Sequence, residues 1–203
     1  MPLIDRWSNL WEAAGFSKTQ THFIALVSHY EDGRRAYHNL THILHCLQEF
    51  DRVKNLIQDP LAAELALWFH DVIYVPQKAD NEEQSAEMAM QCLISCGGTS
   101  GLALKVVAHI LATKRHRVIT NDPDQPFVLD IDMAILGQPE AVFDRYDSQI
   151  ALEFGFVPRE KYGEGRAAAL RGFERPIFKT PFFRDLYEEE AEENIQRAIA
   201  RLI

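Results

Sequence analysis

Apolar residues recur along this chain at helical spacing. Leu40, Ile43, Leu44, Leu47 and Phe50 fall on one face of a 3.6-residue repeat, and Leu61, Leu65, Trp68 and Phe69 define a second such face. The same periodicity predicts further helices over about 3–14, 20–31, 81–96, 102–114, 139–154, 159–174 and 186–202. No alternation lasts long enough for a sheet. The best strand candidate, Val72, Ile73, Tyr74 and Val75, runs into Pro76 and reads instead as a helix leading out into a loop. Breaks fall at Gly97, Gly98 and Gly101, over 121–126, and at Pro158, Pro176 and Pro181, and they separate helices rather than domains. The pattern predicts an all-α fold, a single compact multi-helix bundle over 1–203, with Trp7 and Trp11 in its core. The outer face of the 159–174 helix or of the first helix is a candidate homodimer contact.

Composition narrows this reading. With 203 residues, 47% hydrophobic and 25% charged, the chain is long enough to bury a sizeable core and too apolar to be disordered as a whole. A net charge of −9 argues against coating nucleic acid or an anionic membrane, so neither is expected as a stable partner. The N-terminal stretch carries Asp5 and Glu12 and does not read as a signal peptide; no apolar run approaches the roughly 18 residues of a membrane span. Three cysteines, Cys46, Cys92 and Cys96, are odd in number and lack zinc-ribbon spacing, which argues against a disulfide framework or a structural zinc and for the cytoplasm. Charge is uneven: Lys105, Lys114, Arg115 and Arg117 form a basic stretch, while 188–193 holds five glutamates, read as the solvated first turn of the last helix.

The candidate chemistry lies in three segments. His38, His42 and His45 stand at i, i+4 and i+7, which puts them on one helix face opposite the Leu40–Phe50 stripe, where they form either an exposed polar face or a source of metal-binding nitrogens. His70 and Asp71 follow each other at the end of an apolar helix, where an unpaired carboxylate is costly and a cation is expected beside it. Asp130 and Asp132 sit in another apolar stretch, as caps, salt-bridge partners or ligands.

In this order, His, then His-Asp, then Asp, across about ninety residues of helical sequence, the chain resembles the HD-domain metal-dependent phosphohydrolase superfamily. Tyr37-His38-Asn39-Leu40-Thr41-His42 is similar to the Tyr-His-Asn-x-x-His signature of cyclic-nucleotide phosphodiesterases within it. The chain lacks the second histidine those enzymes carry soon after the His-Asp pair, so it looks most like the small HD hydrolases with this motif. The resemblance implies His42, His70, Asp71 and Asp132 as metal ligands. Asp132, which precedes Met133, fits the family frame better than Asp130, which stays an alternative. It also implies His38 as the acid that protonates the leaving oxygen, Glu82 as an acidic residue facing the metal, and Asp71 as a catalytic residue able to bridge a second ion reached by His109, His116 or Glu82.

The implied activity is hydrolysis of a phosphoester or pyrophosphate bond in a small molecule, a nucleotide or related metabolite, by metal-bound hydroxide. The implied cofactor is one or two divalent ions, manganese, iron, nickel, cobalt, zinc or magnesium. For His38 to act as an acid near neutral pH, a carboxylate neighbour is required. Lys114, Arg115, His116 and Arg166 are candidates for the substrate phosphate. The alternatives are a di-iron oxygenase on the same fold and a non-catalytic nucleotide sensor.

Overall fold

A computed structural model describes residues 2–16 and 19–202, so the ends of the expected 1–203 span and residues 17–18 lie outside it. The described residues form α1 (Leu3–Ala13), α2 (Gln20–Tyr30), α3 (Leu40–Val53), α4 (Pro60–Phe69), α5 (Asn81–Ser95), α6 (Ser100–Thr113) and α7 (Gln125–Met133). A 3-10 turn (Ala134–Gly137), α8 (Glu140–Glu153), α9 (Arg159–Arg171) and α10 (Pro181–Leu202) follow, and no strand is present among them. The fold is all-α.

Local chemistry sets several helix starts. The Asn39 side chain accepts from the Thr41 amide at the head of α3, Asp59 accepts from Ala62 ahead of Pro60 in α4, and Thr99 accepts from Leu102 at the head of α6. Each satisfies an amide that the first helical turn leaves without a partner, worth about 1 kcal/mol. The last helix begins at Pro181, more than a turn before the expected 186, because Pro tolerates the first helical position. The glutamate run therefore lies inside α10 rather than in its first turn. Glu188 uses both oxygens to accept from the Ile177 and Phe178 amides at 2.5 and 2.9 Å, which ties down the loop before the helix.

Helix α4 is the centre of the bundle, with every residue from Ala62 to Phe69 buried. Trp7 of α1 packs against it, meeting the Trp68 ring edge-on at 5.4 Å, and Trp11 packs on Trp7 and is buried as well, so both tryptophans belong to the core. Glu64 of α4 is neutralised by Arg6, which also reaches Asp51. Helix α6 packs on α4 and α5, and α3 packs on α4 and α7. At the other end the 3-10 turn lies so close to α10 that a Cβ on Gly137 would stand 2.4 Å from Tyr187 Cβ, so glycine is required there. The exit from α4 runs through 70–79 as loop and turns, as expected for the Val72–Val75 stretch.

One expectation fails. His38 precedes α3 rather than lying on it, and His42 is buried at 3% exposure while Leu44 is 40% exposed. The opposed-face argument suits a surface helix with one buried side. Helix α3 is clasped between α4 and α7, and its His42–Cys46–Glu49 side is buried along with the Ile43–Leu47–Phe50 side.

Candidate metal centre

Three helices deliver the site. His42 comes from the first turn of α3, Asp132 from the last turn of α7, and His70 is the C-cap of α4. Because the helix ends at His70, Asp71 leaves the helical path and its carboxylate turns back to the His70 ring, with Nε2 to Oδ2 at 3.0 Å. The His70 Nδ1 lies 2.9 Å from the Leu67 carbonyl, the usual way a ring is fixed with its other nitrogen free to bind. Arg35 holds the two motif segments together: it donates to the carbonyls of His38, Asp71 and Val72 at 3.2, 2.7 and 2.9 Å.

The four ligand atoms converge. His42 Nε2 lies 3.0 Å from His70 Nε2, 3.5 Å from Asp71 Oδ2 and 3.3 Å from Asp132 Oδ1, and His70 Nε2 lies 3.4 Å from Asp132 Oδ1. Donors about 2.0–2.2 Å from a shared ion are separated by about 2.9–3.5 Å, from right-angled to tetrahedral arrangements. The spacing and the mixture of imidazole and carboxylate are therefore compatible with a bound metal ion. Buried Cys46 joins the group, its Sγ 3.7 and 3.8 Å from the two His42 ring nitrogens, so that His42, Cys46, His70 and Asp132 form a cluster able to hold a metal.

Electrostatics agree with that reading. Among the described residues no lysine or arginine forms an ion pair with Asp71 or Asp132; their partners are His42, His70 and His116. Burial opposes charge on every member, yet Asp71 and Asp132 hold the His70 ring well above the ordinary imidazole range, and the rings hold both carboxyls well below theirs. Without another cation, protons on the imidazoles neutralise the acids.

Beside the cluster stands His38. Its Nδ1 is 2.6 Å from Glu153 Oε2, and Glu153 Oε1 accepts from the Tyr37 and His38 amides at 2.7 and 2.9 Å. Burial would raise the Glu153 carboxyl, but the contacts to His38 and Tyr37 prevail and hold it low. Tyr74 stacks on the His38 ring at 3.9 Å. His38, His116, Asp132 and Tyr146 line one cleft of about 90 Å³, and a larger cleft of about 510 Å³ adjoins Glu153 from the side of Tyr74, Arg34, Arg35 and Phe156.

Other sequence candidates separate. Asp132 faces the cluster, whereas Asp130 accepts from the Lys179 and Thr180 amides and the Thr180 hydroxyl at 2.6, 2.7 and 2.7 Å; burial raises it to about 6. His116, carried at φ 48° in the loop after α6, places Nε2 3.2 Å from Asp132 Oδ2. Glu82 is half-buried, its carboxyl raised by burial and by the charge of Asp71 nearby. His109 is not at the cluster: its Nε2 is 3.7 Å from Asp122. Lys114 is engaged by Glu83 and the Ala79 carbonyl, and Arg166 by Asp147 and Tyr146, while Arg115 is exposed and does not line the cleft. Of the four phosphate candidates, His116 lines the cleft, while Lys114 and Arg166 are paired with Glu83 and Asp147. Arg35, Cys46, Tyr74 and Glu153 were missed. The i, i+4 spacing of Cys46 from His42 was a usable signal, but nothing local marks Glu153, which lies 115 residues from His38.

The chain finds no significant match among protein-family models, curated proteins or solved structures.

Proposed function

We propose that this protein is a metal-dependent phosphohydrolase of the HD type, acting on a phosphoester or pyrophosphate bond of a small molecule, with a nucleotide or related metabolite as the substrate class. The observation that carries the reading is the convergence of His42 and His70 Nε2, 3.0 Å apart, with Asp71 and Asp132 oxygens each 3.0–3.5 Å from both, beside a histidine backed by a buried glutamate.

A divalent ion held by these four residues would supply Lewis acidity and a water acidic enough to deprotonate near neutral pH. The chain's own residues do the rest. Glu153 holds His38 Nδ1 and so orients the ring, with the other nitrogen left to deliver a proton to a departing oxygen. Tyr74 limits rotation of the ring by stacking. His116, on the second oxygen of Asp132 and in the lining of the cleft, would meet a phosphoryl oxygen there.

The test is metal analysis of protein purified without chelator, followed by phosphate release from a panel of phosphomonoesters and nucleotides with manganese, nickel, cobalt, zinc and magnesium. Metal-dependent release that disappears in His70→Ala supports the reading. Oxygen consumption by iron-loaded protein without phosphate release would replace it with oxygenase chemistry.

A further inference from the structure

Outside that centre, two of the remaining cysteines meet a histidine. Cys92 lies in the last turn of α5 and Cys96 is its C-cap, four residues on, so both sulfurs project over the same face of the helix. His22, from the first turn of α2, is turned toward that face, and ligand atoms of His22, Cys92 and Cys96 all lie within 4.8 Å of one another. The ring is held there by Ser95: its hydroxyl donates to the Cys92 carbonyl at 2.9 Å, and the same oxygen lies 3.4 Å from His22 Nε2. Cys92 is buried at 5% exposure, while His22 and Cys96 are partly exposed, so the trio is anchored on one side and open on the other. All three cysteines are free thiols.

From this geometry we infer a second metal site, His22–Cys92–Cys96, selective for a thiophilic ion of the zinc class and separate from the imidazole–carboxylate centre. Two thiolates and a neutral imidazole balance a divalent charge, and such a donor set prefers zinc to manganese or magnesium. Binding releases the two thiol protons to solvent, with no redox change. Three protein ligands leave the fourth tetrahedral position, on the open side, to water. The ion would join α2 to the end of α5. Sequence spacing alone concealed the site, because its third ligand lies seventy residues before the cysteine pair.

Cobalt(II) reports thiolate ligation through an intense near-ultraviolet sulfur-to-cobalt charge-transfer band, and Cys46→Ser separates the thiol of the first centre from Cys92 and Cys96. The reduced full-length protein is titrated with cobalt and then with zinc. The band is expected in the wild type, in His70→Ala and in Cys46→Ser. It is expected to disappear in Cys96→Ser and in His22→Ala, both at partly exposed positions, with helical circular dichroism retained and one equivalent of bound zinc lost. Absence of the band in the reduced wild type, or a band removed by Cys46→Ser and kept in Cys96→Ser, would overturn the site. Neither result bears on phosphate release, so this inference and the hydrolase reading fail separately.

Discussion

Around Lys105, three acids meet one ammonium: Asp59, Asp122 and Asp124 lie 3.3, 3.4 and 3.4 Å from its Nζ, with His109 3.7 Å from Asp122. Around His70, the ion-pair partners of Asp71 and Asp132 among the described residues are imidazoles. Both groups place carboxylates and a buried histidine against α6 or α4, yet the histidines respond in opposite directions. Burial lowers His109, Lys105 adds to that, and the acids nearby do not reverse it; His70 is raised well above its ordinary value because Asp71 and Asp132 outweigh its burial. A buried carboxylate cluster needs a cation. Where the chain supplies a lysine, the cation is its own; where it supplies imidazoles, which exchange protons readily for metals, the cluster could hold an ion.

Removing a ligand is the most severe way to break this comparison. His70→Ala or Asp71→Ala should lose bound metal and measurable turnover together, by metal analysis and phosphate release, and full activity in either would sink the proposed mechanism. Next in size, His38→Ala should lower turnover by about 10²–10⁴-fold with metal content unchanged; equal loss of metal would make His38 a ligand instead. Glu153→Gln, which keeps a hydrogen-bond partner for His38 but removes its charge, should lower turnover by about 10–100-fold, read by phosphate release with metal content unchanged.

The same variant carries a pH signature in stability. The Glu153 carboxyl lies below its ordinary 4.5 when folded, so its contribution is complete above that value and fades as pH falls through the folded one. Denaturation at a series of pH values should therefore show wild type and Glu153→Gln converging in acid; a gap that widens there would contradict the pairing. The smallest effect belongs to the lysine cluster. Lys105→Met should cost about 1 kcal/mol of stability by removing the cation shared by acids that keep their backbone amide partners, with metal content and any turnover of the folded protein unchanged. Loss of metal in that variant would show that the two clusters are not independent.

Much of the scaffold was legible from the chain. Periodicity located most of the helices, and the adjacency of His70 and Asp71 at the end of an apolar run pointed to a place where a helix stops and two side chains converge. The need of His38 for a carboxylate was readable from its chemistry, but the identity of Glu153 was not. Asp130 and Asp132 look alike in sequence, and helix rotation gives one to the Lys179–Thr180 backbone and the other to the imidazoles.

By itself, then, the sequence determined an all-helical chain and the residue types a metal centre requires, because helix formation and side-chain chemistry are local properties. Tertiary structure alone decided which of them meet. It buried His42 rather than exposing it, took Lys114 and Arg166 for Glu83 and Asp147, clamped two motif loops with Arg35, and brought His22 to Cys92 and Cys96. Those pairings depend on how helices far apart in the chain are rotated and packed against α4, and no spacing along the sequence encodes a distance across the bundle.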